Sequence, residues 1–236
     1  MSTKAPIILA LDTSDLELAK SWISSTSDYV SVFKLGLEFF LNFGQEGIRA
    51  VTENTDAKIF LDLKLHDIPN TVAHAAQSVS SLNPMFLTVH ASGGSAMISA
   101  AVEASLKTHI TAVTILTSMS ESDVSAIGFK NDAMESATQL AQLAVSAGAR
   151  AIVCSPLETD RIRQVIGNET IIITPGVRPA SMAGTDDQAR TMTPSAAIAA
   201  GANYVVIGRP ITNAWEPTGT EIRKRARDIA SEILNS

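Results

Sequence analysis

Two aspartates bracket a lysine in Asp62-Leu63-Lys64-Leu65-His66-Asp67, and these residue types at this spacing can do chemistry. Ile59, Leu61, Leu63 and Leu65 alternate with polar positions, the period of a strand with one buried face. Asp62 and Lys64 then share the other face, within reach of each other. Asp67 breaks that parity, so it belongs beyond the strand end, just before Pro69 opens a helix. Carboxylate, ammonium and carboxylate thus converge at one strand terminus. Flanking carboxylates favour the charged form of a lysine, which suits a general acid. A structural ion-pair cluster is the alternative reading, but desolvation makes buried pairs poor stabilisers.

The chain around this stretch has 236 residues, 45% hydrophobic and 18% charged, enough for one large α/β domain or two small ones. A net charge of −6 argues against an extended nucleic-acid surface, while leaving room for a local anion site. Cys154 is the one cysteine, so neither an intramolecular disulfide nor a multi-cysteine metal centre is expected. A reducing compartment, the cytoplasm, fits that usage. No apolar run reaches membrane-spanning length, and Ile7-Ile8-Leu9-Ala10-Leu11 is too short for a signal peptide.

Strand and helix patterns alternate from end to end. Strands are predicted at Ile7–Asp12, Tyr29–Leu37, the stretch through Leu65, Met85–His90, Ile110–Leu116, Ala151–Ser155, Thr170–Thr174 and Tyr204–Gly208. Helices follow each, the first capped by Ser14 or Asp15 and the third presenting Val72, Ala76 and Val79 as its apolar face. Two connections are long: a polar segment over residues 117–131, and a loop over 176–193. Eight strands and eight helices predict a single-domain (β/α)8 TIM barrel at nearly its typical length. An open doubly wound sheet is the alternative, but no Gly-rich dinucleotide fingerprint follows the first strand.

Barrel sites form at the C-terminal strand ends. Those ends carry Asp12, Lys34, Asp62 with Lys64, His90, Thr117 with Ser118, Arg178, and Gly208 with Arg209. His90, between apolar neighbours and a Gly-Gly turn, reads as a packed histidine rather than a ligand contact. The last two loops suggest phosphate: Gly208 admits a close backbone approach, while Arg209 and Arg178 supply cations.

Asp62-Leu63-Lys64-Leu65-His66-Asp67-Ile68-Pro69-Asn70-Thr71-Val72 resembles the signature of the orotidine 5′-monophosphate decarboxylase family. Leu9-Ala10-Leu11-Asp12, Phe33-Lys34-Leu35-Gly36, Val89-His90-Ala91-Ser92-Gly93-Gly94, Leu116-Thr117-Ser118, Thr174-Pro175-Gly176-Val177-Arg178-Pro179 and Gly208-Arg209-Pro210-Ile211 resemble further family segments in family order. The resemblance covers essentially the whole chain and is nearest to the shorter, single-function bacterial branch. It implies a cofactor- and metal-independent decarboxylation of orotidine 5′-monophosphate to UMP, the last step of pyrimidine nucleotide synthesis. Lys34, Asp62, Lys64 and Asp67 would form an alternating charge array, with Asp67, Ile68 and Thr71 supplied across a homodimer interface. Asp12 would hold ribose hydroxyls. Thr117 and Ser118 would begin a lid over the pyrimidine, and Arg178, Gln188, Gly208 and Arg209 would grip the 5′-phosphate. Three rivals stand beside this reading: a metal-dependent phosphosugar lyase of the same suprafamily, a Schiff-base aldolase, whose lysine needs a depressed pKa that two flanking carboxylates oppose, and a non-catalytic nucleotide-binding barrel. The lyases look to a carboxylate near the end of strand two for magnesium, where this chain has Lys34.

Overall fold

Short apolar runs punctuated by caps and glycines fold here into one closed barrel. The computed structural model describes residues 4–53, 55–179 and 192–235. Its strands are β1 (Ala5–Ala10), β2 (Val30–Gly36), β3 (Lys58–Leu65), β4 (Phe86–His90), β5 (His109–Val113), β6 (Ala151–Val153), β7 (Ile171–Thr174) and β8 (Tyr204–Ile207). All are parallel, each pairs with the next, and β8 closes on β1 through Leu9↔Ile207. The strands are those expected, ending no more than three residues from the predicted limits.

Among the described residues the helices are α1 (Leu16–Thr26), α2 (Leu37–Thr52), α3 (Pro69–Val79), α4 (Ser95–Ala104), α5 (Glu121–Ala126), α6 (Ala133–Ser146), α7 (Thr159–Ile166), α8 (Pro194–Ala199), α9 (Arg209–Thr212) and α10 (Thr220–Leu234). Asp15, not Ser14, caps α1, its carboxylate accepting from the Glu17 and Leu18 backbone N–H groups. Pro69 stands in the first turn of α3, and Val72, Ala76 and Val79 are its buried face, as the pattern requires.

Two helices lie beyond the expected eight. The short α9 winds the Arg209-Pro210 turn, and α5 sits within the segment read as an unbroken polar loop. A capping box explains α5. Ser120 accepts from the Asp123 N–H, and the Asp123 carboxylate accepts from the Ser120 N–H. Val124 is fully buried and pins the short helix to the barrel.

The barrel wall separates two apolar layers. Leu9, Leu35, Leu61, Leu87, Ile110, Ile152, Ile172 and Val205 face outward and are buried beneath the helices. Each such side chain, fully buried, contributes about 1.5–3 kcal/mol of transfer free energy. Inward lie Ile8, Val32, Phe60, Phe86, Ala151 and Ile173. The Phe86 ring meets Phe60 and His109 edge-on at 5.6 Å each and Tyr204 at 5.8 Å. This aromatic layer plugs the barrel below the C-terminal strand ends. What remains open is the C-terminal mouth, above Phe60.

Candidate active site

A cavity of about 190 Å³ opens at that mouth. Phe60, Val153 and Val206 line it from the barrel interior, and Ile115, Leu116 and Pro175 from the loops. Lys34, Asp62 and Lys64 line it as well, so three charged groups border a mostly apolar space. Such a pocket suits a small, partly apolar ligand that also carries charge.

The charges form a chain across three neighbouring strand ends. Asp62 Oδ1 receives the Lys64 ammonium at 2.7 Å, and Asp62 Oδ2 lies 3.5 Å from Lys34 Nζ. Lys34 Nζ reaches on to Asp12 Oδ1 at 3.1 Å. The order is therefore Asp12, Lys34, Asp62, Lys64, alternating in sign. Its middle is dry, with the Lys34 and Asp62 side chains only 12% and 13% exposed, while Asp12 is 63% exposed.

Burial alone would push the Asp62 carboxyl up, but Lys34, Lys64 and the hydrogen bonds from Lys64 and Thr88 hold it below its ordinary range. Burial likewise pulls Lys34 down, and Asp62 and Asp12 more than offset it, leaving Lys34 raised. The linkage signs follow. Asp62 contributes stability above the ordinary carboxylate range and loses it as pH falls through its lower folded value. Lys34 contributes below the ordinary lysine range and loses it as pH rises through its higher folded value. Around neutrality Asp62 and Lys34 are both ionised.

Strand β3 reaches this geometry by departing from regular form. Lys64 has φ +49°, one of two non-glycine residues with positive φ among those described. A left-handed residue other than glycine costs about 1–2 kcal/mol, so something must hold it. The β3–β4 register runs Leu61↔Leu87 and then Leu65↔Val89, leaving Asp62, Leu63 and Lys64 opposite Thr88 alone.

Asp67 does not join the array within one chain. It lies beyond the end of β3, exposed, with its Oδ1 accepting from the Ile68 N–H at 2.6 Å. Ile68 and Thr71 are exposed beside it, Ile68 by 65%. Thr117 lines the cavity, whereas Ser118 is exposed in the following turn.

Gly208 follows β8 so close to β1 that a Cβ there would sit 3.4 Å from the Ala10 Cβ and 3.9 Å from Asp12 Oδ2. Arg209 opens α9 exposed on the same rim. Arg178 follows β7 and is buried, donating to the Val177 carbonyl at 2.9 Å. Neither arginine lines the ring-sized cavity. Gln188 lies outside the described residues. His90 is half-buried with its ring 5.5 Å from that of His66. Burial, then His66 and Lys64, lower its pKa against the pull of Asp62.

Two contributors went unread in the sequence. Cys154 lines the cavity as an inert wall, since burial and then Glu158 push its thiol up to about 12. Gly36 is the other: a Cβ there would lie 3.2 Å from Lys34 Nζ and 3.7 Å from Asp12 Oδ1. The register pairs Gly36 with Asp62, so the missing side chain is the space through which Lys34 reaches both carboxylates. A glycine two residues after a lysine, on the same strand face, was the available signal. Gly36→Ala should displace the ammonium and lower kcat/KM by about 10–100-fold, since sub-ångström to ångström misplacement is felt on that scale. Steady-state kinetics with unchanged thermal stability would check it; an unaltered kcat/KM would show that the bare Cα is not needed.

A family profile described as "Orotidine 5′-phosphate decarboxylase / HUMPS family" matches residues 5–222. An orotidine 5′-phosphate decarboxylase of Thermobifida fusca (strain YX) is 53% identical over 213 residues, spanning 90% of this chain and 91% of that protein. One from Gluconobacter oxydans (strain 621H) is 42% identical over 244 residues and spans 100% of both. A crystal structure of orotidine 5′-phosphate decarboxylase from Lactobacillus acidophilus superposes with TM-score 0.82 at 35% identity, covering 97% of this chain and 99% of that one. With a match running from the first strand into the last helix, and relatives of this identity over nine tenths or more of their length, the chain belongs to the orotidine 5′-phosphate decarboxylase / HUMPS family.

Proposed function

We infer that the barrel decarboxylates orotidine 5′-monophosphate to UMP and CO2, closing pyrimidine nucleotide synthesis, with Lys64 as its proton donor. The observation that carries the mechanism is the Lys64 ammonium held 2.7 Å from Asp62 at the edge of an apolar cavity. The bond between ring carbon 6 and the carboxylate breaks heterolytically. CO2 leaves, and the electron pair stays on carbon 6 in an orbital that the ring π system does not delocalise. A fixed ammonium beside that carbon stabilises the developing charge, then transfers one proton to it. Lys64 is left as a neutral amine and is reprotonated from solvent. Asp62, tethered on both oxygens, faces the substrate carboxylate, so loss of CO2 relieves a repulsion.

The remaining groups bind. Asp12 takes ribose hydroxyls; its exposure and its tie to Lys34 support that. Arg178, Gln188, Gly208 and Arg209 grip the 5′-phosphate, supported by the bare Cα of Gly208 beside the exposed Arg209. Residues 117–131, with Thr117 on the cavity, act as a pyrimidine-side lid. Phosphate contacts far from carbon 6 offset the unfavourable closing of a charged site. No described helix is long and apolar enough to cross a membrane; the single buried thiol supports a cytoplasmic setting. The family also admits metal-dependent lyases. Against that reading, a divalent cation shared by Asp62 would have to sit beside the Lys34 and Lys64 ammonium groups.

Loss of orotate-type absorbance on mixing the purified protein with orotidine 5′-monophosphate tests the activity. Turnover should be unaffected by EDTA and abolished in Lys64→Ala. Activity that vanished with EDTA and returned with magnesium would transfer the protein to the rival lyases.

The site is shared between two subunits. The exposed run Asp67, Ile68 and Thr71, with an apolar side chain open at a helix start, supports delivery of Asp67 to the partner's Lys64. Lys64→Ala and Asp67→Ala proteins should each be severely impaired. Equal mixing with full exchange makes half the dimers mixed, each with one intact site, so activity should recover to roughly one quarter of wild type under twofold symmetry. Exchange is verified with differently tagged chains. A fully exchanged mixture no more active than its components would return Asp67 to its own subunit.

A further inference from the structure

We propose that Thr88 is a positioning residue for the decarboxylation, holding Lys64 and Asp62 in register through a single buried hydroxyl; the proposal rests on the reading of Lys64 as proton donor. Thr88 lies in the middle of β4, fully buried and pointing inward, and it does not line the cavity. Its Oγ1 accepts the Lys64 backbone N–H at 2.8 Å and donates to Asp62 Oδ1 at 3.1 Å. A hydroxyl has one hydrogen to give, and here it goes to the carboxylate while a lone pair receives the amide.

Both bonds act where β3 is irregular. Four residue steps of β3, from Leu61 to Leu65, match two of β4, from Leu87 to Val89, so the chain from Asp62 to Lys64 is compacted opposite Thr88. A regular strand would carry Lys64 two residues, about 6–7 Å, further along the barrel than Asp62. In the compacted form Lys64 has φ +49°, and its N–H finds the Thr88 side chain as its partner. Asp62 Oδ1 is fixed by the same hydroxyl, which turns Oδ2 toward Lys34 at 3.5 Å. One side chain therefore sets the backbone of the proton donor and the orientation of the carboxylate between the two ammonium groups. Valine in its place keeps the shape but leaves the Lys64 N–H without a partner.

The test compares Thr88→Val, Thr88→Ala and Thr88→Ser with wild type, all on orotidine 5′-monophosphate. Wild-type turnover is measured first; if it is absent, the reading of the reaction fails and Thr88 is not at issue. Given turnover, kcat should fall about 100-fold in Thr88→Val and Thr88→Ala. KM and the dissociation constant for UMP should change less than about threefold, because the Thr88 hydroxyl bonds to Lys64 and Asp62 and to none of the residues assigned to ribose and phosphate. Thr88→Ser, which keeps the hydroxyl, should recover kcat to within about threefold. Unchanged kcat in the hydroxyl-free variants would overturn the proposal, as would a loss shared equally by Thr88→Ser. So would hydroxyl-free variants that fail to fold while Thr88→Ser folds, since the hydroxyl would then hold the barrel rather than the site.

Discussion

Asp62 is a carboxylate with an ammonium on each oxygen, 13% exposed, at the mouth of an otherwise apolar barrel. Neither member of such a pair tolerates that environment alone, because desolvation of an unpartnered charge outweighs anything local packing returns. The arrangement is therefore mutual. Lys34 is held charged by Asp62 and Asp12, Asp62 by Lys34 and Lys64, and each strand end is committed to its neighbour's side chain. A site of this kind has little reorganisation left to do when charge develops on a substrate, which is the condition under which fixed dipoles and charges are most effective.

The fold serves that constraint at particular points. The Phe60–Phe86 layer closes the barrel beneath the charges, so the ion pairs face a dry floor. Gly36 withholds a side chain where the Lys34 ammonium must pass, and Gly208 brings the end of β8 against the end of β1. The compaction of β3 opposite Thr88 brings Lys64 to Asp62 with a backbone conformation that residues other than glycine rarely adopt. Strain of this sort is maintained only where surrounding contacts over-determine it.

Much of this was legible in the chain itself. Period-two runs and cap residues gave the eight strands and the helices behind them, because burial on a sheet imposes those patterns directly. Parity alone separated Asp67 from Asp62 and Lys64, and β3 does end at Leu65 with α3 starting at Pro69. Three features were not legible. The left-handed Lys64 could not be read, because period-two reasoning assumes a regular strand. The Lys34–Asp12 contact depends on the register between β1 and β2, which no local spacing encodes. The helix α5 was missed because a Ser120-x-x-Asp123 capping box can hold a single short helix in a segment otherwise polar enough to read as loop. Residue identity announced the chemistry, while strand register decided which groups meet.

Two ammonium groups outweigh the burial of Asp62 and hold it ionised. Carbon-13 NMR of the unliganded protein, labelled at the aspartate carboxyl carbons, reads this directly, with the Asp62 signal assigned by its loss in Asp62→Asn. The account predicts a titration midpoint below the ordinary carboxylate range. A midpoint within or above that range would mean that burial prevails, and that the array is not the charge-separated device described.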